Sequence, residues 1–283
     1  MGVSGYSLNL TGFNIVNYFI RNADYMLVGR FLGAESLGFY TLAYTMLLFP
    51  IRNISAVIGR VMFPLYSQIQ EDNARMRGAH LKVVGSIALV TFPMMFGLVV
   101  LRDFVVLALL GEKWSPVIPL LLYLGPVGLV QSVGTTLGTI YQAKGRTDLM
   151  LYWGLGAGIL IISAFAVGLH WGILGVAIAY AMITALLFYP GQAIALSLIR
   201  LPAYRLLLSL FRPFAASGVM ACAVVLVRMI LPEALPSGIG LVLCIVVGVI
   251  VYGAATWLIN RERLLQVVSL LAPRKETGNE SKE

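Results

Sequence analysis

The chain has 283 residues, 59% of them hydrophobic and only 11% charged, with a net charge of +8. Soluble domains carry about 25% charged residues, so an ordinary soluble fold is excluded. The positive balance does not mark a nucleic-acid binder either, because no basic patch is interleaved with aromatics on a polar module.

Apolar stretches long enough to cross a hydrocarbon core of about 30 Å follow one another, separated by short charged loops. In lipid their backbone groups are satisfied only in helices or in a closed barrel. Barrel strands alternate over roughly ten residues, whereas these stretches are continuously apolar. The expected fold class is therefore all-α, a polytopic membrane helix bundle of about eight transmembrane helices. The spans are expected near 7–31, 38–60, 83–101, 117–141, 149–169, 172–198, 208–230 and 237–258.

The first span carries Asn14, Asn17, Arg21 and Asp24, whose spacing places them on one helical face, with Tyr18 and Tyr25 beside the stripe. Arg21 and Asp24, one turn apart, are expected to pair. The second span carries Thr41, Thr45, Arg52 and Ser55 on one face and is expected to bend at Pro50 and run on to about residue 68. Arg60 reads as an interfacial anchor. Ionisable residues inside a span are costly and point to function. Two neighbouring polar stripes imply a wet cavity, where a guanidinium offers a planar donor fork to phosphate. The competing structural reading has Arg21–Asp24 as an internal pair and Arg52 capping backbone near Pro50.

Gln131, Thr135 and Thr136 lie in the fourth span beside Gly134 and Gly138, and Gly154 and Gly158 lie in the fifth. The glycines read as close helix crossings, with Gln131 as a cavity candidate. The stretch 171–200 contains Pro190 and Gly191, so a kink or break is expected there, with Gln192 beside it. Cys222 and Cys244 read as small buried hydrophobes. The polar segment 261–283 reads as a cytoplasmic tail, disordered from about Pro273.

Basic loop residues alternate in number. Thirteen fall in one set of loops with the C-terminal tail, among them Arg75, Lys82, Lys144, Arg200 and Arg212; the other set holds Arg30, Arg102, Lys113 and Arg228. With an even number of spans this places both termini in the cytoplasm. The candidate substrate-binding residues are Arg21, Asp24, Arg52, Asn14, Asn17 and Gln131. No phosphate-binding loop, catalytic triad, metal spacing or carboxylate pair is visible, so neither enzyme chemistry, nor a cofactor, nor a metal is expected.

The runs NYFIRNADYMLVGRFLGAESLGFY and NISAVIGRVMFPLYSQIQ within 16–72, and the stretch LLGEKWSPVIPLLLYLGPVGLVQSVGTTLGTIYQAKGRTD, resemble Wzx-type polysaccharide exporters of the multidrug/oligosaccharidyl-lipid/polysaccharide exporter superfamily, nearest the colanic-acid-exporter branch. The resemblance covers about residues 10–200 and, loosely, the last two spans. It implies two six-helix lobes around a cationic cavity, usually followed by two further helices. It also implies transfer of an undecaprenyl-pyrophosphate-linked oligosaccharide across the bacterial inner membrane, beside polysaccharide polymerase and export machinery. Arg21, Asp24 and Arg52 match positions of polar cavity residues in that family. Eight spans match the second lobe and the extra pair only. The division expected is thus a lobe at 1–200, two helices at 201–260 and the tail at 261–283, with a missing N-terminal lobe or a second copy as partner. The alternatives are a multidrug or organic-cation antiporter of the same superfamily, and a structural subunit without transport.

Overall fold

The computed structural model describes the backbone of residues 3–232 and 236–271, and the side chains of 5–54, 62–232 and 236–259. The side chains of Ser55 and Arg60, and residues 272–283 of the expected tail, lie outside the described residues.

The described chain is helical throughout, with no strand among the described residues. Helix α1 spans Val3–Gln68, and Gly33 alone interrupts it, with φ 86° and ψ 174°. That conformation is essentially reserved for glycine, and it divides α1 into two arms. The second arm runs on through Pro50 and Pro64 to Gln68, the expected extension. Asp72 then caps α2 (Asn73–Val100), accepting from the backbone N–H of Ala74 at 2.9 Å and of Arg75 at 3.0 Å. These two bonds satisfy donors that the first turn cannot satisfy itself.

Short α3 (Arg102–Leu109) leads through a 3₁₀ turn at Glu112–Trp114 to α4 (Val117–Gly134) and α5 (Leu137–Ala143), which together make one crossing. Helices α6 (Thr147–Gly168) and α7 (Gly172–Ser197) form a hairpin, and α8 (Ala203–Ile230) and α9 (Ser237–Leu271) a second one. Five stretches are long and apolar enough to cross a membrane, and the 51-residue stretch Thr147–Ser197 among them holds both α6 and α7. With the two arms of α1 the bundle has eight helical passes, as expected. Of the kink or break expected at Pro190, the break is absent: α7 is continuous from Gly172 to Ser197 with Pro190 inside it.

The arms of α1 pack against α4 and α6, α4 packs against α2 and α7, and the α8–α9 hairpin lies outside this group against α2 and α3. Large apolar side chains such as Met229, Ile230 and Leu258 point outward at 78–83% exposure, as a lipid-facing surface requires. Lipid removes the hydrophobic drive between helices, so close packing must hold them. Small residues supply it. A Cβ on Gly158 would sit 2.0 Å from Ile20 Cδ1, and one on Gly154 2.8 Å from the Phe13 ring, so α6 fits closely on the first arm. Gly134 meets nothing within 4 Å, contrary to the expected crossing there, and the close approach in α4 lies at Gly125 and Gly128. Cys244 is buried as expected, but Cys222 is exposed on the outer face.

Three basic loops gather at one end of the bundle. Lys144 Nζ donates to the Gln70 carbonyl and, at 2.7 Å, to Asn73 Oδ1, while Arg77 donates to the Ile199 carbonyl at 3.2 Å. Thr147 donates to the Tyr6 carbonyl, bringing the start of α1 to the same end. Arg102, Asp103 and Arg228 meet at the other.

Candidate functional site

Two adjoining cavities lie at the arms of α1, one between the two arms and one between them and helices α4, α6 and α7. The first, about 350 Å³, is lined by Asn14, Asn17, Arg21, Asn22, Tyr44 and Arg52, with Tyr18, Tyr25 and Leu48. The second, about 320 Å³, is lined by Asn17, Arg21, Asp24, Tyr44, Gln131 and Tyr180, with Thr135, Phe165 and apolar neighbours. Asn17, Arg21 and Tyr44 line both, so the two form one bent space. All six residues singled out from the sequence, Asn14, Asn17, Arg21, Asp24, Arg52 and Gln131, line it.

The helical face explains this assembly. Residues 14, 17, 21 and 24 are spaced three and four apart, so one stripe of the first arm faces the cavity. Arg52 comes from the second arm, folded back beside the first by the turn at Gly33. Thr41 and Thr45 do not join it. The cavity face of the second arm is Tyr44, Leu48, Ile51 and Arg52, and Thr45 is exposed elsewhere.

The expected Arg21–Asp24 ion pair does not form among the described residues. Asp24, 2% exposed, is held instead by the Tyr25 backbone N–H at 2.9 Å on Oδ1 and by the Tyr40 hydroxyl at 3.1 Å on Oδ2. The physical reason is direction. The carboxylate turns inward to the second arm, where two donors meet it, while the longer Arg21 side chain stays exposed to the open space. Arg52 does not cap backbone near Pro50. Neither guanidinium has a hydrogen-bond or ion-pair partner among the described residues. Cationic side chains at membrane depth are normally paired, so two unpaired ones on one wall form a site able to take an anion.

The far wall was less legible in the sequence. Gln131 Nε2 donates to the Tyr44 hydroxyl at 3.1 Å and to the Tyr180 hydroxyl at 2.7 Å, and the two hydroxyls lie 3.3 Å apart. This triangle joins the second arm, α4 and α7. The i, i+4 spacing of Tyr40 and Tyr44 was a usable signal; nothing marked Tyr180 apart from other aromatics of α7. Gln192 is buried and does not line the space. Among the described residues no group of three His, Cys, Asp or Glu is placed to hold a metal.

Residues 2–119 match the family profile described as polysaccharide biosynthesis protein. The teichuronic acid biosynthesis protein TuaB of Bacillus subtilis (strain 168) is 36% identical over 74% of this chain and 44% of the relative. The lipopolysaccharide biosynthesis protein WzxC of Escherichia coli (strain K12) is 31% identical over 74% of the chain and 43% of the relative. The succinoglycan biosynthesis transport protein ExoT of Rhizobium meliloti (strain 1021) is 25% identical over 59% and 34%. Among solved structures, the lipid II flippase MurJ in an inward closed conformation superimposes with a TM-score of 0.72 at 17% identity, over 89% of this chain and 53% of that one, which is a likeness of fold. The chain spans less than half the length of these curated relatives. Through about three quarters of its length the chain is thus similar to polysaccharide biosynthesis membrane proteins, as the sequence resemblance indicated, and its fold is that of MurJ.

Proposed function

We propose that the chain works in moving undecaprenyl-pyrophosphate-linked oligosaccharide repeat units across the cytoplasmic membrane, as one wall of the translocation path. The observation that carries this reading is the pair of guanidiniums, Arg21 and Arg52, without a hydrogen-bond or ion-pair partner among the described residues, on a polar cavity between membrane helices. A pyrophosphate supplies the direct hydrogen-bonded anion that neither guanidinium has among the described residues, through charge-assisted hydrogen bonds. The name of one relative, the succinoglycan biosynthesis transport protein ExoT, and the fold shared with the flippase MurJ support it. Residues 1–200 then act as a six-helix lobe and 201–260 as an added pair. The end bearing Arg77 and Lys144 faces the cytoplasm by the positive-inside rule. A second lobe, from another chain or a second copy, supplies the opposing wall that alternating access needs. The role is transport and not bond chemistry.

The test replaces Arg21 and Arg52 by glutamine, singly and together, in cells whose surface polysaccharide depends on this gene. Lipid-linked repeat units should accumulate on the inner leaflet and surface polysaccharide should fall. Unchanged surface polysaccharide in the double variant overturns the reading. The antiporter alternative draws on one observation, that Asp24 is a buried carboxylate with no ion pair among the described residues. Robust ion-driven dye efflux lost on Asp24→Asn would favour that alternative.

A further inference from the structure

The bent cavity differs in chemistry along its length, and its hydrogen bonds can be counted. Both amide hydrogens of Gln131 are used on Tyr44 and Tyr180. The two phenols share one hydrogen between them across 3.3 Å. Of their two hydroxyl hydrogens one is left over, and Gln131 Oε1 has no partner among the described residues. The triangle therefore offers one donor and one acceptor side by side. Asp24 adds acceptor capacity, since each carboxylate oxygen makes only one bond, to Tyr25 or Tyr40. Phe165 closes the wall, its ring centroid 5.1 Å from that of Tyr180.

This compartment has a single cation, Arg21, at the boundary it shares with the compartment containing Arg52. A buried carboxylate beside it repels a second anion. The ligand that fits is neutral, carries adjacent hydroxyls and has an apolar ring face to lay on aromatic side chains. Each hydroxyl of such a ligand donates and accepts once or more, complementing the triangle. Arg21 at the boundary requires that this neutral part be attached directly to the anionic part. Building on the proposed pyrophosphate site, the geometry assigns Tyr44, Gln131, Tyr180 and Asp24 to a hydroxyl-reading subsite for the sugar ring next to the pyrophosphate.

The experiment uses the full chain in lipid nanodiscs, titrated with polyprenyl pyrophosphate and, separately, with polyprenyl pyrophosphate bearing one hexose. Wild type should bind the glycosylated lipid more tightly. Tyr180→Phe, which removes only a hydroxyl, and Gln131→Leu should each weaken the glycosylated lipid about tenfold, as loss of one hydrogen-bonded partner predicts. Both should leave the bare lipid unchanged. Arg21→Gln should weaken both ligands. Variants that weaken both ligands equally, or neither, overturn the sugar subsite. If the bare lipid does not bind wild type, the pyrophosphate reading fails instead, and the effect of Tyr180→Phe on the glycosylated lipid still decides the subsite.

Discussion

The α8–α9 hairpin is fastened to the rest of the bundle by Arg228, and a double-mutant cycle measures that fastening. Arg228 donates to the Val100 carbonyl at 3.0 Å, pairs with Asp103, and lies over the Phe104 ring at 5.1 Å from its centroid. Hydrogen bonds to charged groups contribute about 1.5–3 kcal/mol, and breaking a fully buried ion pair costs about 3–5 kcal/mol. Here the side chains are 34% and 25% exposed, so screening reduces the upper figure. Arg228→Ala is expected to cost about 2–3 kcal/mol, because it loses all three contacts. Asp103→Asn is expected to cost about 1 kcal/mol, since Arg228 keeps the carbonyl and the ring. The double variant should fall short of the sum by about 1 kcal/mol, the coupling of the pair. The assay is unfolding in mixed micelles by increasing anionic detergent, followed by tryptophan fluorescence. A coupling energy below about 0.3 kcal/mol would refute the argument that this pair ties the hairpin down.

Gly33→Ala should destabilise by about 1–3 kcal/mol through backbone strain alone, since nothing lies within 4 Å of the added Cβ. Gly38→Ala, in a helical position with equal space, should be neutral or stabilising, and the same unfolding assay compares them. Gly168→Ala places its Cβ 2.7 Å from the Gly175 carbonyl oxygen and 2.8 Å from Val176 Cα, backbone atoms that cannot rotate aside. It should cost more than Gly158→Ala, whose Cβ meets only the movable end of the Ile20 side chain, and equal losses would contradict this account. Asp72 has its pKa lowered chiefly by the Arg75 N–H it accepts from. Its capping contribution is therefore present at neutral pH and lost as pH falls through the depressed value. Protection of the Ala74 and Arg75 amides, measured relative to their intrinsic exchange rates, should fall at that acid edge, and Asp72→Ala should remove that loss.

Much of the architecture was legible because a bilayer leaves a sequence few options. Length and apolarity alone require helices, and the number of passes followed. The polar stripe of the first arm was legible for the same reason: helical spacing turns Asn14, Asn17, Arg21 and Asp24 into one face whatever surrounds them. The partner of each stripe residue was not. Helical proximity favoured Arg21 with Asp24, yet Tyr40, sixteen positions away, holds the carboxylate. Similarly, Pro190 suggested a kink or a break, and α7 continues through it unbroken.

Composition and periodicity by themselves determined the helical membrane bundle and the residues able to line a polar cavity, while the family resemblance rested on particular sequence runs. Only the tertiary structure decided that the guanidiniums find no hydrogen-bond or ion-pair partner among the described residues and that Gln131 closes a triangle with Tyr44 and Tyr180. The reason is that a helix dictates which of its residues share a face, while hydrogen-bond partners are chosen across helices. Those choices depend on the turn at Gly33 and on how closely α6 approaches at Gly154 and Gly158, both properties of the assembled bundle.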